Sequence, residues 1–497
     1  MIRMKPVPSG KRAEDYYSAT DGGYYHETTG LRRQWVGSGA PLLGLAGPPE
    51  IDQFKNLVHG QHPLTGEQLT AALRGNRIPA WDVTASVPKE VTQYIEAGDE
   101  RIQPALWRAV ERTVERLERY ATTRVRAGGR QEDRVTGILV GYAVEHPDTR
   151  PVEDESLPED HRWRIMPQPD RHIHVVIFNV TWDEEEQRWK AVKFRPIMDL
   201  RKFFDRVFDA EMAAEMADLG YAVGPEFRED SKGNLKYHTY RVEGMPESLR
   251  VKRSARSREI DRLEEEIVEE RKRQDKYAPD QLSAVEKDKL GATSRRLKRD
   301  DLTLSECREY WASQETEEES AQVAEAIRRA KLGQNPRPGP MAAQAVAFAM
   351  RHHFETEAAV PVETLATTAL EQAMGGARLE DVEREMARQG VIVVEKDGKR
   401  LATTEALQQE ELDLAAYAMD GRGKALPIGV TSELGRRLAG GETLNDGQWD
   451  AALGLLRSAN KVEVVLGPAG AGKSKLLKKF DEGAGLAGQT VTYLGTT

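Results

Sequence analysis

The first 240 residues alternate short runs of β-branched residues with amphipathic stretches at helical spacing. Within 105–128, apolar residues recur three and four positions apart, as at Leu106 and Val110, which predicts a helix. The runs 135–146 and 170–183 are rich in Val and Ile and predict strands. Strands separated by helices in this way predict an α+β domain, with a mixed sheet covered by helices on one face.

The pattern changes twice further along the chain. Residues 250–335 are rich in Glu, Lys and Arg with few large apolar side chains, which predicts an exposed helical segment, and Pro and Gly within 331–340 predict a linker. Residues 341–425 predict three helices and then a β-hairpin, the element order of a small winged-helix-like module. From Asn445 the pattern predicts a helix, a strand, a helix and a strand in turn, which is typical of an α/β domain.

These patterns divide the chain into four parts. We predict an α+β domain at 1–245, a charged helical extension and linker at 246–340, a winged-helix-like module at 341–425, and an α/β domain at 426–497. The sequence stops within what should be a larger sheet, so we expect the last of these to be truncated.

Composition excludes several classes of protein. Cys307 is the single cysteine of the 497 residues, so neither an intrachain disulfide nor a thiolate metal cluster can form. No apolar run of membrane-spanning length and no secretory signal occurs, so we expect a cytoplasmic protein without membrane insertion. The net charge of −10 leaves nucleic-acid binding open, because such binding depends on a local basic face. The basic runs 124–130 and 251–262 are each better explained as solvated helix faces.

Three histidines occur close together in the sequence. His172 and His174 are two positions apart in a predicted strand, so both side chains project from the same face. Two such imidazoles can chelate a divalent ion, and His161 can supply a third ligand from the preceding strand or loop. A three-histidine site leaves positions for water or phosphate oxygens. The alternative is an ordinary polar strand face, which is the better explanation of the pair taken alone.

Two pairs of tyrosines lie near the N-terminus. Tyr16 and Tyr17 form one pair, and Tyr24 and Tyr25 form the other, within ten positions. A tyrosine hydroxyl can attack phosphorus and form a covalent phosphotyrosine. Packing of a helix against a sheet is the alternative. Asp82, at the beginning of a strand-like run, can hydrogen-bond a ligating histidine or help to remove the tyrosine proton.

Taken together, these residues resemble the TrwC/TraI-type relaxases, the MobF family of HUH endonucleases. The resemblance rests on three motifs: YY-x6-YY at 16–25, D-x-T-x-S-x-P-K at 82–89, and H-x10-H-x-H at 161–174. The stretch 34–47 and the segment ending at Tyr221 are also similar. The sequence departs from the family at Glu90, where the family has serine, and between His161 and His172.

The resemblance implies roles for these residues. Tyr16 would be the primary nucleophile and Tyr24 would serve a second transesterification, with Tyr17 and Tyr25 as partners. Asp82 would assist the metal site and the nucleophile, and His161, His172 and His174 would bind the metal. The ion would be Mg²⁺ or Mn²⁺, with Zn²⁺ or another transition metal as the alternative.

The resemblance also implies a fold, a substrate and partners. The fold would be a palm-like antiparallel sheet with the histidines on a central strand. The substrate would be single-stranded DNA with an origin-of-transfer hairpin, nicked at one site through a 5′-phosphotyrosine intermediate and later rejoined. Other relaxosome proteins and type IV secretion coupling proteins would be partners. A rolling-circle replication initiator and a non-catalytic DNA-binding module are the alternative functions.

A phosphate-binding loop lies near the C-terminus. Residues 467–474 fit G-x-x-x-x-G-K-[ST] between an apolar strand-like run and a predicted helix, as this motif requires. Loop amides, including those near Gly467, Gly470 and Gly472, would hold phosphates of ATP, Lys473 would reach the β- and γ-phosphates, and Ser474 would bind Mg²⁺. Gln448 lies where related helicases place an adenine-reading glutamine. Only 23 residues follow Ser474, so we predict a truncated RecA-like, RecD-type helicase domain without ATP-driven unwinding.

Overall fold

A computed structural model describes most of the chain, in two compact units. The described residues are 1–7, 32–70, 78–127, 130–230, 233–275, 277, 279–297, 299, 301–336, 341–396, 398–429, 435, 444–468 and 470–492. The first unit comprises Met1–Thr356, Val360–Gln389 and Glu395–Leu401, and the second comprises Glu357–Ala359, Gly390–Val394 and Ala402–Thr497.

The first 245 residues form strands and helices in alternation, as their sequence pattern predicts. The strands are β1 (Ile2–Pro6), β2 (Arg33–Val36), β3 (Ala80–Ser86), β4 (Thr122–Ala127), β5 (Arg130–Val135), β6 (Gly141–Asp148), β7 (Val152–Glu153), β8 (Ile165–Met166), β9 (Pro169–Phe178), β10 (Thr181–Asp183), β11 (Arg188–Lys190), β12 (Val192–Lys193), β13 (Val223–Glu229) and β14 (Leu235–Val242). The helices are α1 (Gly39–Leu42), α2 (Ile51–Val58), α3 (Lys89–Glu96), α4 (Ile102–Glu118), α5 (Arg195–Asp199) and α6 (Arg201–Asp218).

Five strands form an antiparallel sheet in the order β1-β3-β9-β6-β2. β9 is its central strand, and alternate residues Arg171, Ile173 and Val175 are buried on one face. The helices α4 and α6 pack against each other, α6 also contacts β1, and α3 contacts β9. The α+β fold is therefore confirmed, and the sheet is antiparallel, as the family resemblance implies; the mixed sheet predicted from the pattern of strands and helices does not form in the described part of the chain.

The helix α4 shows where periodicity misplaced a boundary. Its apolar residues Leu106, Val110, Val114 and Leu117 are all buried, as helical spacing predicts. The predicted helix continued to residue 128, however, whereas α4 ends at Glu118 and residues 122–127 form β4. The prediction was wrong there because β-branched residues in TTRVR favour the extended backbone, and β4 pairs with β5.

An aromatic cluster fills the far end of the face that carries His172 and His174. Phe178 lies on β9 at 5.3 Å from Phe54 of α2, measured between ring centroids, and Tyr142 of β6 lies 5.4 Å from Phe54. Trp35 of β2 contacts Tyr142 edge to face. One end of this sheet face is thus apolar and packed, while the other end carries the histidines.

The charged extension continues this unit as five helices. They are α7 (Glu247–Arg253), α8 (Ala255–Gln274), α9 (Ala284–Thr293), α10 (Leu304–Ser313) and α11 (Glu317–Lys331). Val268 is the only residue of α8 that is buried, as expected for an exposed segment. The expectation was wrong for α10, where Cys307, Tyr310 and Trp311 pack with Met166 of β8.

Buried polar contacts also fix the extension to the sheet domain. Arg253 is 2% exposed, and its guanidinium donates to the Gln93 side chain of α3 at 3.0 Å and to the Glu315 carboxylate at 2.5 Å. Gly220 has φ of +93°, and a Cβ there would lie 2.2 Å from the carbonyl oxygen of Ala330 in α11. This close backbone approach requires glycine.

The region after the linker has the predicted order of three helices and two strands. These are α12 (Ala342–Phe354), β15 (Val360–Pro361), α13 (Val362–Gln372), α14 (Leu379–Arg388), β16 (Val391–Lys396) and β17 (Lys399–Thr404). The α13 residue Glu371 accepts from Arg206 of α6 at 2.9 Å, and Glu363 accepts from Tyr120 at 2.8 Å. The first compact unit therefore continues past residues 245 and 340, and the four-part division stays a prediction.

The second unit contains α15 (Glu405–Asp420), α16 (Asp446–Arg457) and α17 (Lys473–Leu486). The strand predicted just before the phosphate loop does not form: Val464 and Leu466 are 74% and 89% exposed, and the described residues 444–492 hold no strand. A strand needs hydrogen-bonded neighbours, which local sequence cannot supply. Among the described residues, no helix has both the length and the apolar character needed to cross a bilayer.

Candidate metal centre

Three histidines converge on one face of the five-stranded sheet. His172 and His174 lie on β9, and His146 lies on the neighbouring strand β6. The ring centroids are separated by 5.1 Å for His146 and His172, 4.8 Å for His146 and His174, and 5.1 Å for His172 and His174. One ring nitrogen of each lies within 4.8 Å of the other two. Three imidazole nitrogens this close together fit a single divalent transition metal ion.

Strand register brings the three side chains together. His146 is directly opposite His172 in the antiparallel β6–β9 pair, and directly opposite residues project from the same face. His174, two positions further along β9, also projects from that face. The site therefore depends on two strands that pair correctly, rather than on one local segment.

Asp82 orients His174. Its carboxylate oxygens lie 2.8 and 3.0 Å from Nδ1 of His174, and Thr84 Oγ1 donates to the same carboxylate at 3.4 Å. An ionised carboxylate only accepts, so Nδ1 of His174 carries the proton and Nε2 is the nitrogen that can bind a metal ion. The contact predicted between Asp82 and a ligating histidine is present.

A backbone carbonyl orients His172 in the same way. Nδ1 of His172 lies 2.7 Å from the carbonyl oxygen of Asp170, which again assigns Nε2 to the metal. The Asp170 carboxylate accepts from Lys89 Nζ at 2.6 Å. Burial raises the pKa of Asp170, but the positive charges of Lys89 and His172 outweigh it and hold that pKa below its usual value. The first residues of β9, which carry His172, are thus tied to α3.

A buried ion-pair network lies on the opposite face of the same strands. Arg171 donates from Nη1 to Glu145 at 2.9 Å and from Nε to Glu96 at 2.7 Å. Trp107 Nε1 donates to the second oxygen of Glu145 at 2.9 Å. Glu145 precedes His146 and Arg171 precedes His172, so this network holds β6 and β9 in the register that the histidines need.

His161 does not belong to the cluster of three histidines, contrary to its predicted role as the third ligand. It lies between β7 and β8, where its Nδ1 accepts from the backbone of Trp163 at 3.1 Å and its ring contacts the Trp163 ring. The segment between β6 and β9 forms this small separate β7–β8 sheet, so the histidine nearest in sequence is not the neighbour in the sheet. His146 takes its place. Period-two alternation from Val144 to His146 within the predicted strand 135–146 was the signal that could have found it.

The four tyrosines Tyr16, Tyr17, Tyr24 and Tyr25 lie outside the described residues. The residues that flank this segment are described. At the β1 edge, the backbone N–H of Val7 donates to the carbonyl oxygen of Ala80 in β3. At the β2 edge, the backbone carbonyl oxygen of Arg32 accepts from the N–H of Glu145 in β6. The described chain therefore stops at the β1 edge of the sheet with Val7 and resumes at the β2 edge with Arg32.

Sequence comparison identifies the family. The sequence model of the TrwC relaxase family matches residues 10–318, more than half of the chain. The chain belongs to the TrwC relaxase family. The match covers the histidine strands and continues into the helical extension, and a separate match to an AAA domain covers residues 443–497.

Individual relatives of this TrwC-family chain are consistent with that assignment. The multifunctional conjugation protein TraI of Escherichia coli is 30% identical over 233 residues, which is 44% of this chain and 12% of TraI. TraI of Escherichia coli strain K12 is 29% identical over the same length. The chain thus aligns with only a small part of these relatives.

Solved structures of TrwC are also similar. The metal-free complex of conjugative relaxase TrwC with oriT DNA is 26% identical, covers 65% of this chain and 98% of its own, and has a TM-score of 0.48. The copper-bound complex is 26% identical, covers 66% of this chain and 98% of its own, and has a TM-score of 0.49.

The phosphate loop of this TrwC-family chain surrounds its lysine. Lys473 Nζ donates to the carbonyl oxygens of Gly467 and Pro468 at 2.8 and 3.1 Å. Gly470 and Gly472 both have φ of +78°, and Gly472 caps the N-terminus of α17, which begins at Lys473 and continues with Ser474. A helix N-terminus with exposed amides favours phosphate.

Gln448 lies against this loop. Its Nε2 donates to the Ala471 carbonyl oxygen at 2.8 Å, and its backbone N–H is capped by Asn445. A Cβ on Gly472 would lie 2.4 Å from Gln448 Nε2, so the loop glycine makes room for the glutamine. The predicted nucleotide-binding residues are therefore neighbours.

Proposed function

We propose that this protein is a conjugative relaxase that nicks and rejoins single-stranded DNA at an origin of transfer. The observation that carries the proposal is the cluster of His146, His172 and His174 with Asp82 behind it, in a chain of the TrwC relaxase family. TrwC structures contain oriT DNA, which supports the same DNA class as substrate here. Other relaxosome proteins and secretion coupling proteins are proposed partners.

The three histidines are proposed to hold a divalent metal ion. A set of three imidazoles suits Mn²⁺, Zn²⁺ or another transition metal better than Mg²⁺, which prefers oxygen ligands. Such an ion would polarise a phosphoryl oxygen and offset the negative charge that develops as the 3′ oxygen leaves phosphorus. Asp82 holds His174 in the tautomer that binds the ion, so Asp82 acts on the reaction through His174.

Tyr16 is the proposed nucleophile. Its hydroxyl oxygen forms a bond to phosphorus while the bond from phosphorus to the 3′ oxygen breaks, which leaves a 5′-phosphotyrosine and a free 3′ hydroxyl. The phosphoester count is unchanged, so the reverse reaction rejoins DNA without an energy source. Tyr24 is proposed to perform a second such step, with Tyr17 and Tyr25 as partners in their pairs.

Nucleotide binding is proposed separately for the C-terminal loop. Lys473 and Ser474 would bind the phosphates and Mg²⁺ of ATP, and Gln448 would contact the base, in the region that matches an AAA domain.

A covalent-adduct assay tests the proposed function. The protein is incubated with Mn²⁺ or Mg²⁺ and oligonucleotides that cover candidate nick sites, and denaturing gels report a protein–DNA adduct. We expect an adduct that disappears with EDTA, in Tyr16→Phe and in His146→Ala. His161→Ala is the matched control and should retain it. Failure of the unaltered protein to form an adduct on any such site would favour a non-catalytic DNA-binding module.

A further inference from the structure

Cationic side chains lie at both edges of the histidine face of the sheet. Arg3 of β1 is directly opposite Thr84, and Thr84 is directly opposite His174. On the other side His174 is directly opposite Val144, which is directly opposite Arg33 of β2. Directly opposite residues of antiparallel strands share a face, so Arg3 and Arg33 project from the face that carries the metal centre.

Lys5, two positions after Arg3 on β1, is a third cation on the same face. Lys5 of β1 is directly opposite Asp82, the residue that orients His174. Arg3 and Lys5 are exposed, and Arg33 is half-buried. Two positive charges therefore lie at one edge of the sheet and one at the other, with the three histidines between them.

These cations differ from the other basic residues near the site. Lys89 and Arg171 are each bonded to carboxylates. Among the described residues, no carboxylate lies within 4.0 Å of the charged groups of Arg3, Lys5 or Arg33. The positive charge of Arg3 contributes to the low pKa of Asp170, but the Asp170 carboxylate bonds Lys89 instead. These three side chains can therefore neutralise charge on a ligand.

The spacing suits a polynucleotide that crosses the strands. Neighbouring strands lie roughly 4.8 Å apart, so the Cα atoms of Arg3 and Arg33 are each about 10 Å from that of His174, on opposite sides. DNA with one phosphate at the histidines has further phosphates on both sides of it, and most protein contacts to DNA are made to phosphate and sugar. Arg and Lys side chains on a sheet surface supply such contacts without base preference.

We propose that Arg3 and Lys5 contact the DNA backbone on one side of the scissile phosphate and Arg33 contacts it on the other. The DNA strand then crosses the sheet from edge to edge, perpendicular to the β-strands. The inference rests on the proposed function and deepens it, because it names the residues that position the substrate over the metal centre.

Salt-dependent binding tests the contacts. Affinity for a fluorescein-labelled, mixed-sequence single-stranded oligonucleotide is measured by anisotropy over a series of salt concentrations. Each phosphate contact on single-stranded DNA contributes about 0.7 to the slope of log affinity against log salt. We expect the slope to decrease by roughly 1.4 in Arg3→Ala/Lys5→Ala and by roughly 0.7 in Arg33→Ala. Arg328→Ala is the control, because Arg328 is exposed and paired with Glu325 on α11.

Measurements of metal binding and of binding to shortened oligonucleotides distinguish contact with the DNA backbone from an effect on the metal centre. Mn²⁺ affinity should be unchanged in all three variants, since none of the altered residues is a ligand. With oligonucleotides shortened on one side of the nick, Arg33→Ala should no longer decrease the salt slope, while Arg3→Ala/Lys5→Ala still does. Shortening the oligonucleotides on the other side should reverse this result.

The outcomes distinguish this inference from the proposed function. If the unaltered protein forms the adduct and the variants keep its salt slope, the inference is overturned and the proposed function stands. In that case the cations serve only to keep the edge strands from pairing with other chains, and the variants should self-associate. If the unaltered protein neither binds single-stranded DNA nor forms an adduct, both are overturned.

Discussion

Replacing Arg171 by methionine tests the support beneath the metal centre. The Arg171 side chain is 3% exposed, and its guanidinium bonds Glu145 of β6 and Glu96 of α3. Methionine retains most of the volume and the unbranched shape, so the variant loses the charge and the hydrogen bonds without opening a large cavity. Both carboxylates remain buried without their shared cation.

The expected loss follows from what remains around the two carboxylates. Glu145 keeps the donors of Trp107 and Gln103, each at 2.9 Å, and Glu96 keeps Arg308 at 2.9 Å. Removing one partner of a buried pair costs about 3–5 kcal/mol, and these remaining donors place Arg171→Met near the lower end, at about 3 kcal/mol. Unfolding entropy is about 2.1 cal/mol/K per residue, so for the roughly 390 residues of the first compact unit the Tm should decrease by about 4 °C.

Thermal unfolding followed by tryptophan fluorescence measures this decrease. Arg328→Ala breaks an exposed ion pair with Glu325, which contributes less than about 1 kcal/mol, and should leave the Tm within about 1 °C. Weaker Mn²⁺ binding by Arg171→Met should accompany the lower Tm, because β6 and β9 carry the ligands. A Tm equal to that of the unaltered protein would refute the reasoning that this network holds the two strands in register.

Three other predictions concern the metal centre, the extension and the phosphate loop. His146→Ala should weaken Mn²⁺ binding at least tenfold by calorimetry, whereas His161→Ala should not change it; the reverse would restore His161 as ligand. Burial raises the pKa of Glu319, but Lys252 outweighs it and lowers that pKa to about 2. The stabilisation is therefore complete above the ordinary pKa of 4.5 and lost as the pH falls through about 2, so the Tm deficit of Glu319→Gln should shrink from pH 7 to pH 3. Gly472→Ala forces a side chain to φ of +78° against Gln448 and should reduce binding of a fluorescent ATP analogue; unchanged binding would contradict the assigned loop geometry.

Local sequence predicted most elements of the first unit because their signals are local. Apolar spacing placed α4, and β-branched runs placed β6 and β9. Prediction from local sequence failed where an element depends on contacts with residues elsewhere in the chain. The end of α4 was misplaced because β4 is stabilised by pairing with β5, and the strand before the phosphate loop was predicted without a partner to pair with. The packing of α10 through Tyr310 and Trp311 likewise depends on residues such as Met166, distant in sequence.

The metal centre shows most clearly the difference between what local sequence determines and what tertiary structure determines. His172 and His174 were predictable, because period-two alternation in a single strand places both side chains on one face. Asp82 was predictable from its motif, and the structure adds its contact with His174. The third ligand was decided by tertiary structure alone. Sequence proximity pointed to His161, but strand pairing places His146 opposite His172, 26 positions away in the chain. Register is a property of two strands that pair across an inserted segment, and the length of that segment does not reveal it.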